Sequence, residues 1–162
     1  MRVHALLAWM TLLAPLPALA DAQLDQRIEA LVADVEASVG DVPVIRADAL
    51  RLALSAATPP VLLDVRAPEE RAVSVIPGAV FDADRIVAGA EVIVYCTVGL
   101  RSGKTARQLR ERGINALNLR GGILAWLAAG GALVDAQGAP TNRVHVYGRR
   151  WNAVPEGFEA VW

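Results

Sequence analysis

The stretch EVIVYCTVGLRS, residues 91–102, joins a predicted strand to a predicted helix through the only cysteine of the chain. Residues 91–96 form a nearly continuous apolar run, which is typical of a strand buried on both faces. Residues 102–112 alternate apolar and polar positions at helical spacing, and Gly113 ends that pattern. A buried strand followed closely by a helix indicates a sheet whose strands run parallel.

Shorter apolar segments continue this alternation along the chain. Because strands alternate with helices, we predict an α/β fold, namely a three-layer domain with a central parallel sheet flanked by helices. The other predicted elements are strands at 44–45, 61–65 and 115–119, and helices at 22–39, 47–57, 82–88 and 122–129, with a further short helix beginning at Pro68.

The composition of the 162 residues excludes several classes of protein. Hydrophobic residues make up 54% and charged residues 20%, which excludes a predominantly disordered chain. The formal net charge is −1, so there is no basic excess to bind the phosphates of nucleic acid. A single cysteine allows neither an internal disulfide nor a cysteine-based zinc site, and no His, Asp and Glu cluster has metal-ligand spacing. We therefore predict no metal, no cofactor and no nucleic-acid partner.

The N-terminus has the pattern of a cleaved secretory signal peptide. Residues 1–20 combine Arg2, an apolar run and a small-x-small sequence ending at Ala20. A membrane-spanning anchor is the less favoured interpretation, because the run is short and holds Pro15 and Pro17. We therefore expect export, to the bacterial periplasm, without a stable membrane anchor.

Cys96 is the candidate for chemistry because it ends a buried strand. Ligands bind beyond the carboxyl ends of parallel strands, so the sulfur is predicted to face a binding edge. The backbone N–H groups of the following loop can converge on it, and Gly99 allows the positive φ that such a turn needs. The helix N-terminus and the charge of Arg101 also favour the thiolate, which is the nucleophilic form of cysteine. The local pattern also fits a structural cysteine, which packs as a small hydrophobe.

Four segments, in order and with the expected spacing, resemble the rhodanese family. They are VLLDVRAPEE at 61–70, IPGA at 76–79, VIVYCTVGLRS at 92–102 and NLRGGILAW at 118–126. The resemblance covers about residues 43–134 and implies a small parallel-sheet domain. In this family a cysteine accepts a sulfur atom from a donor, holds it as a persulfide and passes it to a nucleophilic acceptor.

The resemblance therefore implies a sulfurtransferase and assigns roles to particular residues. By position, Cys96 is the sulfur carrier, while Asp64 and Arg66 match a pair that braces the loop or binds substrate. The implied donor is a small sulfur-containing anion such as thiosulfate, which Arg101 is expected to attract with help from Arg66. The implied acceptor is a thiol, cyanide or a protein. The implied active-site loop consists of Thr97, Val98, Gly99, Leu100 and Arg101.

Departures from the family pattern and the length of the loop bear on function. Val75 stands where the family often has histidine, and Arg71 where it often has an aromatic residue; both lie outside the loop. Four residues separate Cys96 from Arg101, whereas cysteine phosphatases have five, so the loop favours a sulfur atom over a phosphoryl group. The sequence also fits a non-catalytic rhodanese-like module that binds a partner, or a redox-sensing thiol, since an exported lone thiol is open to oxidation.

Residues 135–162 differ from the rest of the chain because they are rich in glycine, proline and aromatic residues and show no sustained period. We predict that they form an extension folded back over a face of the sheet. His145 within it is predicted to be a packing or surface residue, not a catalytic base. The predicted segments are a signal peptide at 1–20, an N-terminal amphipathic helix at 21–42, a rhodanese-like domain at 43–134 and an aromatic C-terminal extension at 135–162.

Overall fold

The computed structural model describes residues 16–86 and 89–162. Within these ranges, helices and short strands alternate along most of the chain. In chain order they are α1 (Leu16–Val39), β1 (Val44–Ile45), α2 (Ala47–Leu54), β2 (Val61–Asp64), α3 (Pro68–Val73), β3 (Glu91–Tyr95), α4 (Leu100–Glu111), β4 (Asn115–Leu119), α5 (Gly122–Ala128), β5 (Leu133–Val134), β6 (Pro140–Thr141), β7 (Arg143–His145) and β8 (Glu159–Val161).

A four-stranded parallel sheet with the order β1-β4-β3-β2 lies at the centre. The central strand β3 pairs with both β2 and β4, and its residues from Val92 to Tyr95 are fully buried. Such burial on both faces explains why this segment is a continuous apolar run and not an alternating one. The prediction of an α/β fold with a central parallel sheet flanked by helices is confirmed.

Helix α1 packs against α4 and α5. Arg120, which follows β4, fixes the helix further through ion pairs of 2.6 Å to Glu29 and 2.8 Å to Glu36. No helix among residues 16–86 and 89–162 is both long enough and apolar enough to cross a bilayer. The buried face of α1 consists of Ile28, Val32, Val35 and Val39, at the three- and four-residue spacing of a helix.

The predicted boundaries of several helices differ from the structure. Helix α1 begins at Leu16, six residues before the predicted start. Helix α4 begins at Leu100, two residues earlier than predicted, because the chain turns into it directly at Gly99. Helix α2 ends at Leu54, three residues before the predicted end. The helix predicted at 82–88 is only a 3₁₀ turn over Ala83–Arg85, which the Asp82 carboxylate caps at the N–H of Asp84; residues 87–88 lie outside the described part.

The signal-peptide prediction falls mainly on residues that the structure does not describe. Residues 1–15 are outside the described ranges, and α1 continues without a break from Leu16 past Ala20. The cleavage expected after Ala20 therefore remains a prediction.

The C-terminal extension folds back onto the domain through very short strands. Strand β5 pairs with β6 in antiparallel fashion, and β7 pairs with β8 in parallel. Strand β7 contacts α3, and Val144 and Val146 are fully buried. The extension therefore shares the core of the domain and reaches the segment that follows β2, as well as the edge of the sheet where Cys96 lies.

Candidate active site

Cys96 follows β3 directly, so its sulfur lies at the carboxyl edge of the sheet. Its Sγ accepts a hydrogen bond of 3.2 Å from the backbone N–H of Gly99. Gly99 has a φ of 112°, a conformation that side-chain-bearing residues rarely adopt, and this turn aims the N–H back at the sulfur. The first N–H groups of α4 have no acceptor within the helix and give its N-terminus a partial positive charge. The loop therefore stabilises negative charge on Sγ.

A polar bridge from the neighbouring strand holds this loop in place. Asn118 on β4 donates from Nδ2 to the carbonyl oxygen of Gly99 at 3.0 Å. Its Oδ1 accepts the hydroxyl of Ser102 at 2.7 Å, and that hydroxyl oxygen lies 3.4 Å from Sγ of Cys96. Asn118 and Ser102 are both buried. Their hydrogen bonds hold Gly99 and the first turn of α4 against β4. Neither residue is among the predicted site residues, although each lies within a segment that carries the family resemblance.

Glu70 fixes the outer side of the loop. Its carboxylate accepts two hydrogen bonds from the guanidinium of Arg101, at 2.5 and 2.8 Å, and one from the hydroxyl of Thr97 at 3.1 Å. It also accepts the N–H of Ala67 at 2.9 Å. Glu70 is not among the predicted site residues, because nothing local to it indicates a partner 31 residues away.

The ionisation of Glu70 and Arg101 follows from this contact. Burial by itself would raise the pKa of Glu70, but hydrogen bonds from Arg101 and from the N–H of Ala67 lower it below its ordinary value. The hydrogen bond to Glu70 in turn raises the pKa of Arg101. Both groups are therefore charged at neutral pH and largely neutralise one another.

Asp64 and Arg66 form a separate buried ion pair. The shortest distance between them is 2.7 Å, and both side chains are fully inaccessible. Arg66 also donates to the carbonyl oxygen of Ser74 at 2.6 Å, which ties the end of β2 to the segment after α3. Among the described residues, no hydrogen bond joins this pair to residues 97–101. The side chain of Arg66 is buried and does not line the cavity beside Cys96, so the expectation that this pair braces the loop or binds substrate stays a prediction.

A cavity of about 130 Å³ opens beside Cys96. One wall belongs to the C-terminal extension and consists of Tyr147 and Trp151. The guanidinium carbon of Arg101 lies 5.1 Å from the centre of the Tyr147 ring. The remaining lining residues are Cys96, Thr97, Val98, Leu100 and Arg101. The sequence analysis did not place the two aromatic residues in the site, since nothing periodic connects them to the loop.

His145 supports this wall without lining the cavity. Its Nδ1 accepts the backbone N–H of Tyr147 at 3.1 Å, two residues along the chain. The residues that line the cavity do not include it. That His145 is not a catalytic base stays a prediction.

Elsewhere in the described ranges there is neither a metal cluster nor a second cysteine. Among residues 16–86 and 89–162, no three His, Cys, Asp or Glu side chains are grouped to hold a metal ion. A larger cavity of about 230 Å³ is lined by residues of α1, α2 and α5 together with Arg46 and Arg120. It shares no residue with the Cys96 cavity, and no cysteine, serine or threonine lines it.

The sequence model of the rhodanese-like domain matches residues 47–129, just over half of the chain. The chain belongs to the rhodanese-like domain family. Among curated proteins, a sulfurtransferase of Allochromatium vinosum is 35% identical over 86 residues, which are 48% of this chain and 80% of that protein. A putative sulfurtransferase of Bacillus subtilis is 33% identical over 73 residues, covering 40% of this rhodanese-like chain and 71% of that one.

Solved structures of other rhodanese-like proteins have the same fold. A rhodanese-related protein of Thermoplasma volcanium superimposes with a TM-score of 0.52 at 25% identity, over 57% of this chain and 97% of that chain. Thiosulfate sulfurtransferase from Pseudomonas aeruginosa gives a TM-score of 0.55 at 25% identity, over 70% of this chain but only 24% of its own. The resemblance that four segments indicated is thus confirmed. The family match ends at residue 129, so the wall formed by Tyr147 and Trp151 lies outside it.

Proposed function

We propose that this rhodanese-like protein is a sulfurtransferase in which Cys96 carries the sulfur. The observation that carries the proposal is the position of the Cys96 sulfur atom. Sγ lies in front of the N-terminus of α4, accepts the N–H of Gly99 at 3.2 Å and faces a small cavity. Relatives named as sulfurtransferases support the same reaction class.

The proposed reaction has two displacement steps. The Cys96 thiolate attacks the outer sulfur of a donor such as thiosulfate; the donor's S–S bond breaks, and sulfite leaves with the electron pair. The product is a persulfide on Cys96, whose terminal sulfur carries the negative charge. An acceptor, either cyanide or a thiolate, then attacks that terminal sulfur, and the Cys96 thiolate leaves unchanged. The N–H groups at the start of α4 stabilise the charge on sulfur in both steps.

Intact-mass spectrometry with a Cys96→Ser variant tests the proposal. The purified protein is incubated with thiosulfate and, in parallel, with methanethiosulfonate, a monoanionic donor of the same outer sulfur. We expect a mass increase of one sulfur atom that cyanide removes and that the Cys96→Ser variant never shows. A folded protein with a free thiol that gains no sulfur from either donor contradicts the proposal. That result favours a partner-binding module or a redox-sensing thiol instead.

We also propose that the protein is exported, most simply to a bacterial periplasm, after removal of residues 1–20. The support is the positive start, apolar run and small-x-small ending of those residues. The proposed segments are then the helix at 21–42, the rhodanese-like domain at 43–134 and the extension at 135–162. N-terminal sequencing of the protein recovered from a bacterial periplasm tests this, with Asp21 expected first. Recovery with Met1 in place contradicts it.

A further inference from the structure

We propose that the C-terminal extension selects the sulfur donor: Tyr147 and Trp151 favour a monoanionic organic sulfur compound with an apolar body over inorganic thiosulfate. This inference rests on sulfur transfer at Cys96 and specifies the substrate class of that same site. Among the described residues that line the cavity, these two aromatic residues alone come from outside the segment 96–101. They therefore contact whatever body a donor carries behind its transferable sulfur.

The charges around the cavity disfavour a dianion. Arg101 is the one cation among the described residues that line it. Two of its N–H groups bind the buried carboxylate of Glu70 and a third contact goes to Thr97 Oγ1, so its charge is already balanced. The partial charge at the N-terminus of α4 is about half an elementary charge and faces the Cys96 thiolate. Arg150, whose guanidinium carbon lies 5.0 Å from the centre of the Trp151 ring, is paired with Asp34. Thiosulfate would therefore bring two negative charges to a thiolate whose one lining cation, among the described residues, is already paired with Glu70. Replacing one anionic oxygen by carbon removes one of those charges.

The cavity surface fits an apolar body. Val98 and Leu100 on the loop side face a lining completed by the rings of Tyr147 and Trp151. An inorganic anion makes no favourable contact with this apolar lining. An aliphatic or aromatic group on the donor covers the lining and removes it from water. The lining of the cavity therefore fits an organic donor in two respects: the donor's single negative charge and its apolar body.

The placement of Tyr147 indicates that the wall is fixed and not incidental. Its φ of 69° lies in the left-handed region, which is uncommon for a bulky residue and costs conformational energy. The conformation is held by the N–H bond to His145 Nδ1 and by the ring's contact with Arg101. About two thirds of Tyr147 is nevertheless exposed, so hydrophobic burial does not account for its position.

The first step with such a donor balances in the same way as with thiosulfate. The Cys96 thiolate attacks the outer sulfur of a thiosulfonate, R–SO₂–S⁻, and the S–S bond breaks. The sulfinate R–SO₂⁻ leaves with the electron pair, and the outer sulfur remains on Cys96 as the persulfide. No oxidant or reductant is consumed.

A series of three donors tests the proposal, with cyanide as acceptor and thiocyanate as the measured product. The donors are thiosulfate, methanethiosulfonate and benzenethiosulfonate, which change first the charge and then the size of the apolar body. Each kcat/KM is divided by the rate of the same donor with a small thiolate in solution, which removes intrinsic reactivity. We expect the normalised kcat/KM to rise from thiosulfate to methanethiosulfonate and again to benzenethiosulfonate.

Substitutions of Tyr147 and Trp151 test whether these side chains cause the preference for benzenethiosulfonate over thiosulfate. Tyr147→Ala and Trp151→Leu are each expected to lower the ratio of kcat/KM for benzenethiosulfonate to kcat/KM for thiosulfate about tenfold. Tyr147→Phe keeps the ring and is expected to retain the preference. Phe81→Ala is the matched control, because Phe81 is also an exposed aromatic residue beside an arginine but does not line the cavity.

The outcomes separate this inference from the proposed function. A normalised preference for thiosulfate over both thiosulfonates overturns the inference while leaving sulfur transfer intact. The inference is likewise overturned if the Tyr147→Ala and Trp151→Leu proteins fold and still prefer benzenethiosulfonate to thiosulfate. Transfer from none of the three donors to the folded protein overturns the proposed function and the inference together.

Discussion

Glu70 is the residue on which the outer half of the active-site loop depends. Its buried carboxylate joins Arg101, Thr97 and the N–H of Ala67, which belong to two separate segments of the chain. Because its pKa is lowered, the folded protein holds it as an anion well below neutral pH. Removal of this charge leaves Arg101 without its counter-ion and frees one side of the loop.

A Glu70→Gln substitution should therefore change stability in a pH-dependent way. A carboxylate with a lowered pKa contributes stability above its ordinary pKa of 4.5, and that contribution is lost as pH falls through the lowered value. At neutral pH we expect a loss of about 2 kcal/mol in the free energy of unfolding, since Arg101 is partly exposed. The difference between the two proteins should shrink as pH falls below 4.5.

Urea denaturation over a range of pH measures this difference. Glu69→Gln is the matched control, since Glu69 is the exposed neighbour on the same helix, and it should cost less than about 0.5 kcal/mol. A Glu70→Gln difference that is constant from neutral to acid pH would show that the loss comes from packing and not from charge.

At the scale of elements, the start of α5 determines how closely that helix approaches the loop. The N–H of Ile123 donates to the carbonyl oxygen of Cys96 at 2.9 Å. Gly122 permits this approach, because a Cβ on it would lie 2.4 Å from that oxygen and 2.6 Å from the carbonyl oxygen of Thr97. Both contacts are with backbone, which cannot rotate away as a side chain can.

We expect Gly122→Ala to destabilise the protein by about 3 kcal/mol or more and to lower sulfur transfer, because the loop must shift. Gly113→Ala is the control: Gly113 also has a positive φ, of 82°, but open space around it. It should cost only about 1 kcal/mol, through backbone strain. Thermal unfolding and the sulfur-transfer assay measure both variants, and equal losses in the two would contradict a steric role for Gly122.

The elements also show what sequence patterns can and cannot predict. Nearly continuous apolar runs predict the strands at 61–64 and 91–95, because burial on both faces selects such runs. Strands β5 to β8 have no comparable signal, since each is two or three residues long and none has two adjacent β-branched residues as β1 has. In the same way, Cys96 follows from its position after an apolar strand. The contact of Glu70 with the loop depends on the orientation of α3, which no local pattern encodes.

For the whole molecule, the C-terminal extension belongs to the core and is not an appendage. Val144, Val146 and Ala153 are almost completely buried, and all belong to the same hydrophobic cluster as the central sheet. Strand β6 also covers β5, whose Val134 bridges to Val75. The extension therefore contributes to stability as well as to the cavity wall.

A chain that ends at Val134 should be less stable by at least about 3 kcal/mol, from the loss of the two buried valines alone. We expect a lower melting temperature and increased binding of a hydrophobic dye, measured beside the full chain. The control is Trp162→Ala, which removes an exposed aromatic side chain at the end of the extension and should leave the melting temperature almost unchanged. Identical melting of the shortened and full chains would contradict a shared core.

The small cavity beside Cys96 also has a kinetic consequence. The cavity of about 130 Å³ lies beside one reactive atom, Sγ of Cys96, which the donor and the acceptor must both use in the proposed reaction. The proposed persulfide therefore stands between two separate events, the departure of the spent donor and the attack of the acceptor. We expect double-displacement kinetics, in which plots of reciprocal rate against reciprocal donor concentration at several acceptor concentrations are parallel lines.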